Sequence, residues 1–317
     1  MIRSHSAFNM KSFVIAVLVA TAGAAEYKKG KCGGDSKWSY DIWAPESGGK
    51  YPIMVYVTGG GGIAPGSTYS SLGKAMADKG VVVTMLSRLA APQPKTDAAL
   101  ESKALDWLEE NVPKLGLKAT ANFDQLVLSG HSAGNHVFCD LLVDSCGNSK
   151  AKAAVMMDPV DGYDPFGVIK NYCTTPGEKL SFDTPALLLR TGLDPKVKLL
   201  VACAPDRISN QRFFDAWSGP IWMVNATKYG HLDVNDDGVG KLGGVVCATD
   251  NEPNDVYHEH IAGLVDSFFS MIFKGDGSAE EKLNDISSMK VDAEAQKDYN
   301  GHSAPFTPGC VKRSVVV

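Results

Sequence analysis

A serine flanked by glycines, in Gly130-His131-Ser132-Ala133-Gly134, is the residue of this chain best placed to act as a nucleophile. An apolar run, Leu126-Val127-Leu128, precedes it, and a helix-like run, Asn135 to Val143, follows. Strand, sharp turn and helix in that order lift a serine hydroxyl clear of a sheet, and the glycines leave room for so tight a turn. The N–H groups that open the helix then face incoming negative charge. A serine hydroxyl attacks only when a base takes its proton, and the base needs a carboxylate to hold its tautomer. His231, in Tyr229-Gly230-His231-Leu232-Asp233, follows a late apolar run, Ile221 to Ala226, and is the candidate base. Asp158 and Asp194 each lie just beyond an apolar run, and spacing alone does not choose between them.

A second glycine cluster, Thr58-Gly59-Gly60-Gly61-Gly62, ends the apolar run Tyr51 to Val57. Backbone N–H groups can approach a substrate oxygen closely there. The expected oxyanion donors are the N–H of Ala133 and one from Gly60 or Gly61. Gly59, Gly61 and Ala64 also fit a Gly-x-Gly-x-x-Ala nucleotide loop. Pro65 interrupts the helix that such a loop opens, and the next strand ends in Ser87-Arg88 without a ribose-binding acid. No nucleotide and no other cofactor is therefore expected.

These residues need a frame that brings distant segments together. Apolar runs at Tyr51–Val57, Val81–Leu86, Gln125–Leu128, Ala151–Met157, Pro185–Leu189 and Ile221–Ala226 read as strands. Helical patterns at Ser70–Lys79, Thr96–Val112, Asn135–Val143 and His258–Phe273 separate several of them. In the second helix Leu100, Leu105, Leu108 and Val112 mark a buried face and the acids an exposed one. Alternating strands and helices imply an α/β fold, a mostly parallel central sheet with helices on both faces. The alternation Trp38 to Trp43 suggests an early edge strand. In such sheets, sites form beyond the carboxyl ends of the strands, where Ser132, both acids and His231 fall. Apolar residues near those ends, Ile63, Leu89, Phe166 and Ile169, are candidates to line a pocket.

With 317 residues and 44% hydrophobic content, the chain has the makings of one large domain. A net charge of −5 gives no basis for a nucleic-acid surface. Residues 1–25 read as a secretory signal: Arg3, His5 and Lys11, then an apolar Phe13–Ala20, then Ala22-Gly23-Ala24-Ala25. Entry to the secretory pathway is expected, with the final compartment (extracellular, vacuolar or a complex plastid) open. Residues 26–274 would form the catalytic domain and 275–317 a polar, mobile tail. Seven cysteines in an oxidising compartment should pair in part, leaving at least one over. Helix spacing puts Cys139 and Cys146 about 10 Å apart, beyond disulfide reach. No metal site is expected: no Cys/His spacing suits zinc, and the calcium-like start at Asp233 runs to Gly244 where a bidentate acid belongs.

Ser…Asp…His is the chain order of α/β-hydrolases, and the combination resembles the chlorophyllase family. Gly130–Gly134 is similar to that family's Gly-His-Ser-Arg-Gly, Met157–Gly162 to its Asp-Pro-Val segment, and Tyr229–Asp237 to its Gly-His-Met-Asp stretch. Thr191-Gly192-Leu193 and Cys203-Ala204-Pro205 fall between them in the same order, and the likeness runs from about Tyr51 to Phe273. Ala133 and Asn135 replace an arginine and a glycine, and Thr58 with the glycine run replaces a His-Gly. The resemblance implies an α/β-hydrolase fold, Asp158 as the triad acid, and hydrolysis of the phytyl ester of chlorophyll. A lipid-soluble substrate would be reached at a membrane surface. A general lipase or carboxylesterase acting on another bulky ester, and a silent binding protein on the same fold, are the competing readings. Oligomeric state stays open.

Overall fold

Ile53, Val55 and Val57 point to one side of their strand, and Met54 and Tyr56 to the other, yet all are fully buried. The neighbouring strands repeat this, with Leu126 and Leu128 opposite Val127, and Met156 opposite Val155 and Met157. Strands that bury both faces read as continuous apolar runs because helices cover the sheet above and below.

The computed structural model describes residues 25–298 except 34–36, 89, 91–96, 145–149, 165–170, 195, 198–201, 240–245, 250–252 and 286–292. Its strands are β1 (Glu26–Lys31), β2 (Ser39–Ala44), β3 (Gly49–Val57), β4 (Val82–Ser87), β5 (Ala119–His131), β6 (Ala151–Met157), β7 (Ala186–Thr191), β8 (Ile221–Ala226) and β9 (Ala293–Asp298). The helices are α1 (Ser70–Asp78), α2 (Asp97–Asn111), α3 (Gly134–Asp144), α4 (Asn210–Ala216), α5 (Asn254–Lys274) and α6 (Gly277–Asn284). Nine strands form one sheet in the order β1-β2-β4-β3-β5-β6-β7-β8-β9. Pairing is parallel from β4 through β8 and antiparallel at both margins. Helices α2, α3 and α4 supply one core layer, and α1, α5 and α6 the other. Because the inner strands run parallel, the loops after β3, β5, β6, β7 and β8 all emerge along one edge of the sheet.

Several expectations need correction. Trp38 to Trp43 does not form an edge: β1 pairs outside β2, Tyr27 opposite Trp43, so β2 is enclosed and nearly all buried. The acids of α2 do not all face water, since Asp97 and Glu101 are buried. The chain after residue 274 is not simply a mobile tail. Gly277–Asn284 is helical and buries Ala279 and Leu283, and β9 pairs along β8 from Ala226↔Ala293 to Ile221↔Asp298. Weak side-chain patterning hid a strand that is defined by its backbone bonds to a neighbour. Disulfides join Cys139 to Cys173 and Cys203 to Cys247, and Cys32 stays a buried thiol. Residues 1–24, Cys146 and Cys310 lie outside the described residues. Among the described residues, no helix is long and apolar enough to cross a membrane.

Candidate active site

Strand β5 runs straight into Ser132, which adopts a left-handed φ of 54°. Side chains seldom accept that conformation, and bonds on every side hold it here. The Ser132 N–H donates to the Met157 carbonyl at 3.1 Å. The Ser132 carbonyl accepts from Asn135 N at 3.1 Å, Val160 N at 3.1 Å and Asn135 Nδ2 at 3.0 Å. Asn135 Nδ2 also reaches the Met157 carbonyl at 3.2 Å, so one buried amide ties the elbow to the end of β6. The flanking glycines have a steric cause. A Cβ on Gly130 would lie 2.7 Å from the Gly134 carbonyl carbon, and one on Gly134 would lie 2.2 Å from the Val57 oxygen.

Asp158, the residue after β6, is also left-handed, with φ 40°. Its carboxylate is fully buried and fully used. Oδ1 accepts from Thr191 N at 3.0 Å and Asn210 Nδ2 at 2.9 Å, and Oδ2 meets His231 Nδ1 at 2.6 Å. Burial acts to raise the Asp158 pKa. The His231 hydrogen bond and charge, with the Thr191 and Asn210 donors, outweigh it and hold the group below the usual carboxylate range. His231 sits on a turn just after β8. Burial disfavours its charged form, but the bond to Asp158 and the charge of Asp158 prevail and raise its pKa above the ordinary imidazole value. Asp194 Oδ2 lies 3.6 Å from the same Nδ1 and accepts from Thr191 Oγ1 at 3.3 Å. Asp158 therefore takes the close position, and Asp194 stands beside it.

A second buried histidine links the loops. His131 Nε2 lies 2.9 Å from the His231 carbonyl, which can only accept, so Nε2 carries the proton. Nδ1 then accepts from the Tyr69 hydroxyl at 2.9 Å, and the Tyr69 oxygen accepts from Gly59 N at 2.9 Å. Burial, then the charge of His231, pushes the His131 pKa down to about 3 and keeps this relay neutral. The glycine loop is thus bonded, through two side chains, to the turn that carries His231.

The loop itself is shaped by Gly60 and Gly61, at φ 67° and 68°. A Cβ on Gly61 would lie 2.3 Å from the Tyr163 ring. Tyr163 donates to Asp97 at 2.9 Å, and Asp97 pairs with buried Arg88 at 2.6 Å. Farther along the same segment as Asp158, Asp161 Oδ1 meets His136 Nδ1 at 2.9 Å and accepts from Cys173 N at 2.7 Å. Thr174 donates to Asp161 Oδ2 through its amide and its hydroxyl.

The structure thus brings Asp158, Asp194 and His231 together and sets Ser132 and Ala133 directly after His131. Gly134, one residue on, packs against the Val57 and Thr58 carbonyls at the start of the glycine loop. Ile63 is 42% exposed on that loop beside Gly60. Leu89, Phe166 and Ile169 lie outside the described residues. Tyr69, Asn135, Thr191, Asn210 and the bonding role of His131 were not foreseen. Of these, His131 lies inside the serine motif, and Asn135 and Thr191 lie at positions that enter the family resemblance. Among the described residues, the group close enough to share a cation is the Asp158–Asp194–His231 trio, with donor atoms within 4.8 Å. The atoms of Asp158 are already committed to protein donors.

The Chlorophyllase family model matches residues 34–297. The chain belongs to the chlorophyllase family. It is a carboxylic ester hydrolase on the α/β-hydrolase fold. Chlorophyllase-2 of Arabidopsis thaliana is 28% identical over 275 residues, spanning 81% of this chain and 84% of the relative. Chlorophyllase-1, chloroplastic, of Citrus unshiu is 26% identical over 250 residues, or 74% of this chain and 72% of its own length. Chlorophyllase-1 of Arabidopsis thaliana is 24% identical over 255 residues.

Proposed function

We propose that this chlorophyllase-family hydrolase cleaves the phytyl ester of chlorophyll to chlorophyllide and phytol, with Ser132 as nucleophile, His231 as base and Asp158 as its orienting acid. The observation that carries the triad is the 2.6 Å bond from His231 Nδ1 to a buried Asp158, beside a serine held in a left-handed elbow. Ser132 Oγ attacks the ester carbonyl as His231 Nε2 takes its proton. The oxyanion is held by the N–H of Ala133 and one from Gly60 or Gly61. The carbon–oxygen bond to phytol breaks, and His231 returns the proton to the leaving alcohol. Water then gives a proton to His231 and attacks the acyl carbon. Ser132 Oγ leaves, reprotonated, and chlorophyllide is released. The names of the relatives support the pigment ester, and exposed Ile63 offers an apolar contact at the loop rim. The disulfides support passage through an oxidising compartment, in keeping with a secretory signal.

The test is incubation of the purified protein with chlorophyll a, pheophytin a and a short-chain ester, followed by separation of products. Chlorophyllide and phytol should form without added metal or nucleotide. Cleavage of the short ester alone would keep the triad and reject the pigment substrate.

A further inference from the structure

We propose that Asp194 is a second carboxyl group serving the same imidazole: it bears a proton beside Asp158 in the resting enzyme and takes over the orientation of His231 when Asp158 loses its charge. The proposal rests on the triad reading above. Its basis is a geometry in which two buried carboxyl groups face one ring nitrogen. Asp158 Oδ2 is 2.6 Å from His231 Nδ1 and Asp194 Oδ2 is 3.6 Å from it. Asp158 has a donor at each oxygen, whereas Asp194 has the hydroxyl of Thr191 at 3.3 Å and a buried Oδ1 that no donor reaches.

A carboxylate with an orphaned oxygen is costly to bury, and a neutral acid much less so. Two carboxylates this close cannot both be offset by one imidazolium, so one keeps its proton. Asp158, with a protein donor at each oxygen, is the one that ionises. Burial first, then the negative charge of Asp158, hold the Asp194 carboxyl well above the usual carboxylate range. The other titratable groups around the trio do not compete for that proton. His131, at the end of β5, is held neutral, and Tyr257 on α5 is pushed well above the ordinary phenol value by burial and the charges of Asp158 and Asp233. Asp233, on the His231 turn, spends its Oδ2 on the Gly230 N–H at 2.7 Å.

Replacing Asp158 by Asn removes the charge that keeps Asp194 protonated. Asp194 then ionises 3.6 Å from the imidazole and pairs with it. The experiment compares Asp158→Asn, Asp194→Asn and the double variant on an activated short-chain ester. Asp194→Asn alone should lose less than about tenfold in kcat, and Asp158→Asn should keep at least about tenfold more turnover than the double variant. Equal residual rates in Asp158→Asn and the double variant overturn the proposal, as does a crippling loss from Asp194→Asn alone.

A readout independent of turnover is the NMR titration of the His231 imidazole, assigned with His231→Gln. The wild-type ring should titrate over two broadened steps shared with Asp194, and the Asp194→Asn ring in a single step. Superimposable curves reject the proposal, even if Asp158→Asn fails to fold. If a serine-reactive phosphonate leaves Ser132 unlabelled, the triad reading fails, and the titration still decides the role of Asp194.

Discussion

His231 bonds Asp158 through Nδ1 at 2.6 Å, and His136 bonds Asp161 through Nδ1 at 2.9 Å. Both acids come from the same short segment after β6, and both rings are buried. The difference lies at the second ring nitrogen. His136 Nε2 stands 3.2 Å from Asp140 Oδ2, so this ring is gripped at both ends. The bonds recorded for the His231 ring among the described residues run through Nδ1 alone. One pair is a clamp between α3 and the loop after β6, reinforced by the Cys139–Cys173 disulfide. The other leaves a nitrogen open to exchange a proton. A base for catalysis needs one nitrogen held and the other uncommitted, and burial with a carboxylate partner does not by itself mark one.

The largest test of that contrast is Ser132→Ala. It should lower ester hydrolysis by about four orders of magnitude or more, with an unchanged melting temperature. Turnover near the wild-type rate would detach the His231 pair from the chemistry. Next come the two acids. Asp158→Asn should reduce kcat by about a thousandfold, because the imidazole loses its orienting charge. Asp161→Asn should instead destabilise the fold by about 3 kcal/mol in denaturant unfolding, since it breaks a buried ion pair. Its kcat should change less than about tenfold. The reverse pattern would exchange the roles of the two pairs.

The smallest effect is in pH dependence. In the proposed triad His231 is neutral when it accepts the serine proton, and its pKa is raised. The acid limb of kcat/KM should therefore lie above the ordinary imidazole value of about 6.5, with activity lost as pH falls through it. For His136, burial opposes the charge, but the bond to Asp161 and the charges of Asp140 and Asp161 raise its pKa as well. Its ion pair contributes stability that is fully present below about pH 6.5 and fades as pH rises through the raised value. A pH series of kcat/KM and of unfolding free energy should thus slope in opposite directions across neutrality. Parallel slopes would erase the distinction.

Much of the frame was legible because it rests on local pattern. Ala151–Met157 and Ile221–Ala226 are apolar runs whose bounds match β6 and β8. Glycines 130 and 134 announced a turn whose crowding only glycine permits. Asp158 and Asp194 could not be ranked on spacing, since each follows a strand. The choice lies in donors from Thr191 and Asn210 that only the assembled sheet brings to Asp158. Glu101 and Asp97 look like ordinary surface acids of a helix. Their burial follows from which face of α2 meets the sheet, and Arg88 with Tyr163 supplies the partners of Asp97. Strand β9, Ala293–Asp298, was hidden for a related reason: its polar sequence carries no strand pattern, and it is defined by backbone pairing with β8.

That last strand bears on how the protein is made. Strand β8, Ile-Trp-Met-Val-Asn-Ala, leads directly into the turn of His231. Its partner on one side, β7, precedes it in the chain, but its partner on the other side is synthesised about seventy residues later. During vectorial synthesis β8 is therefore an apolar strand with an open flank, a template for pairing with other chains. When β9 arrives, its backbone pairs along that flank from Ala226↔Ala293 to Ile221↔Asp298. Pairing with β9 thus ends the exposure of that flank, and the interval before β9 is made is the stage at which the segment leading to His231 is most open to aggregation.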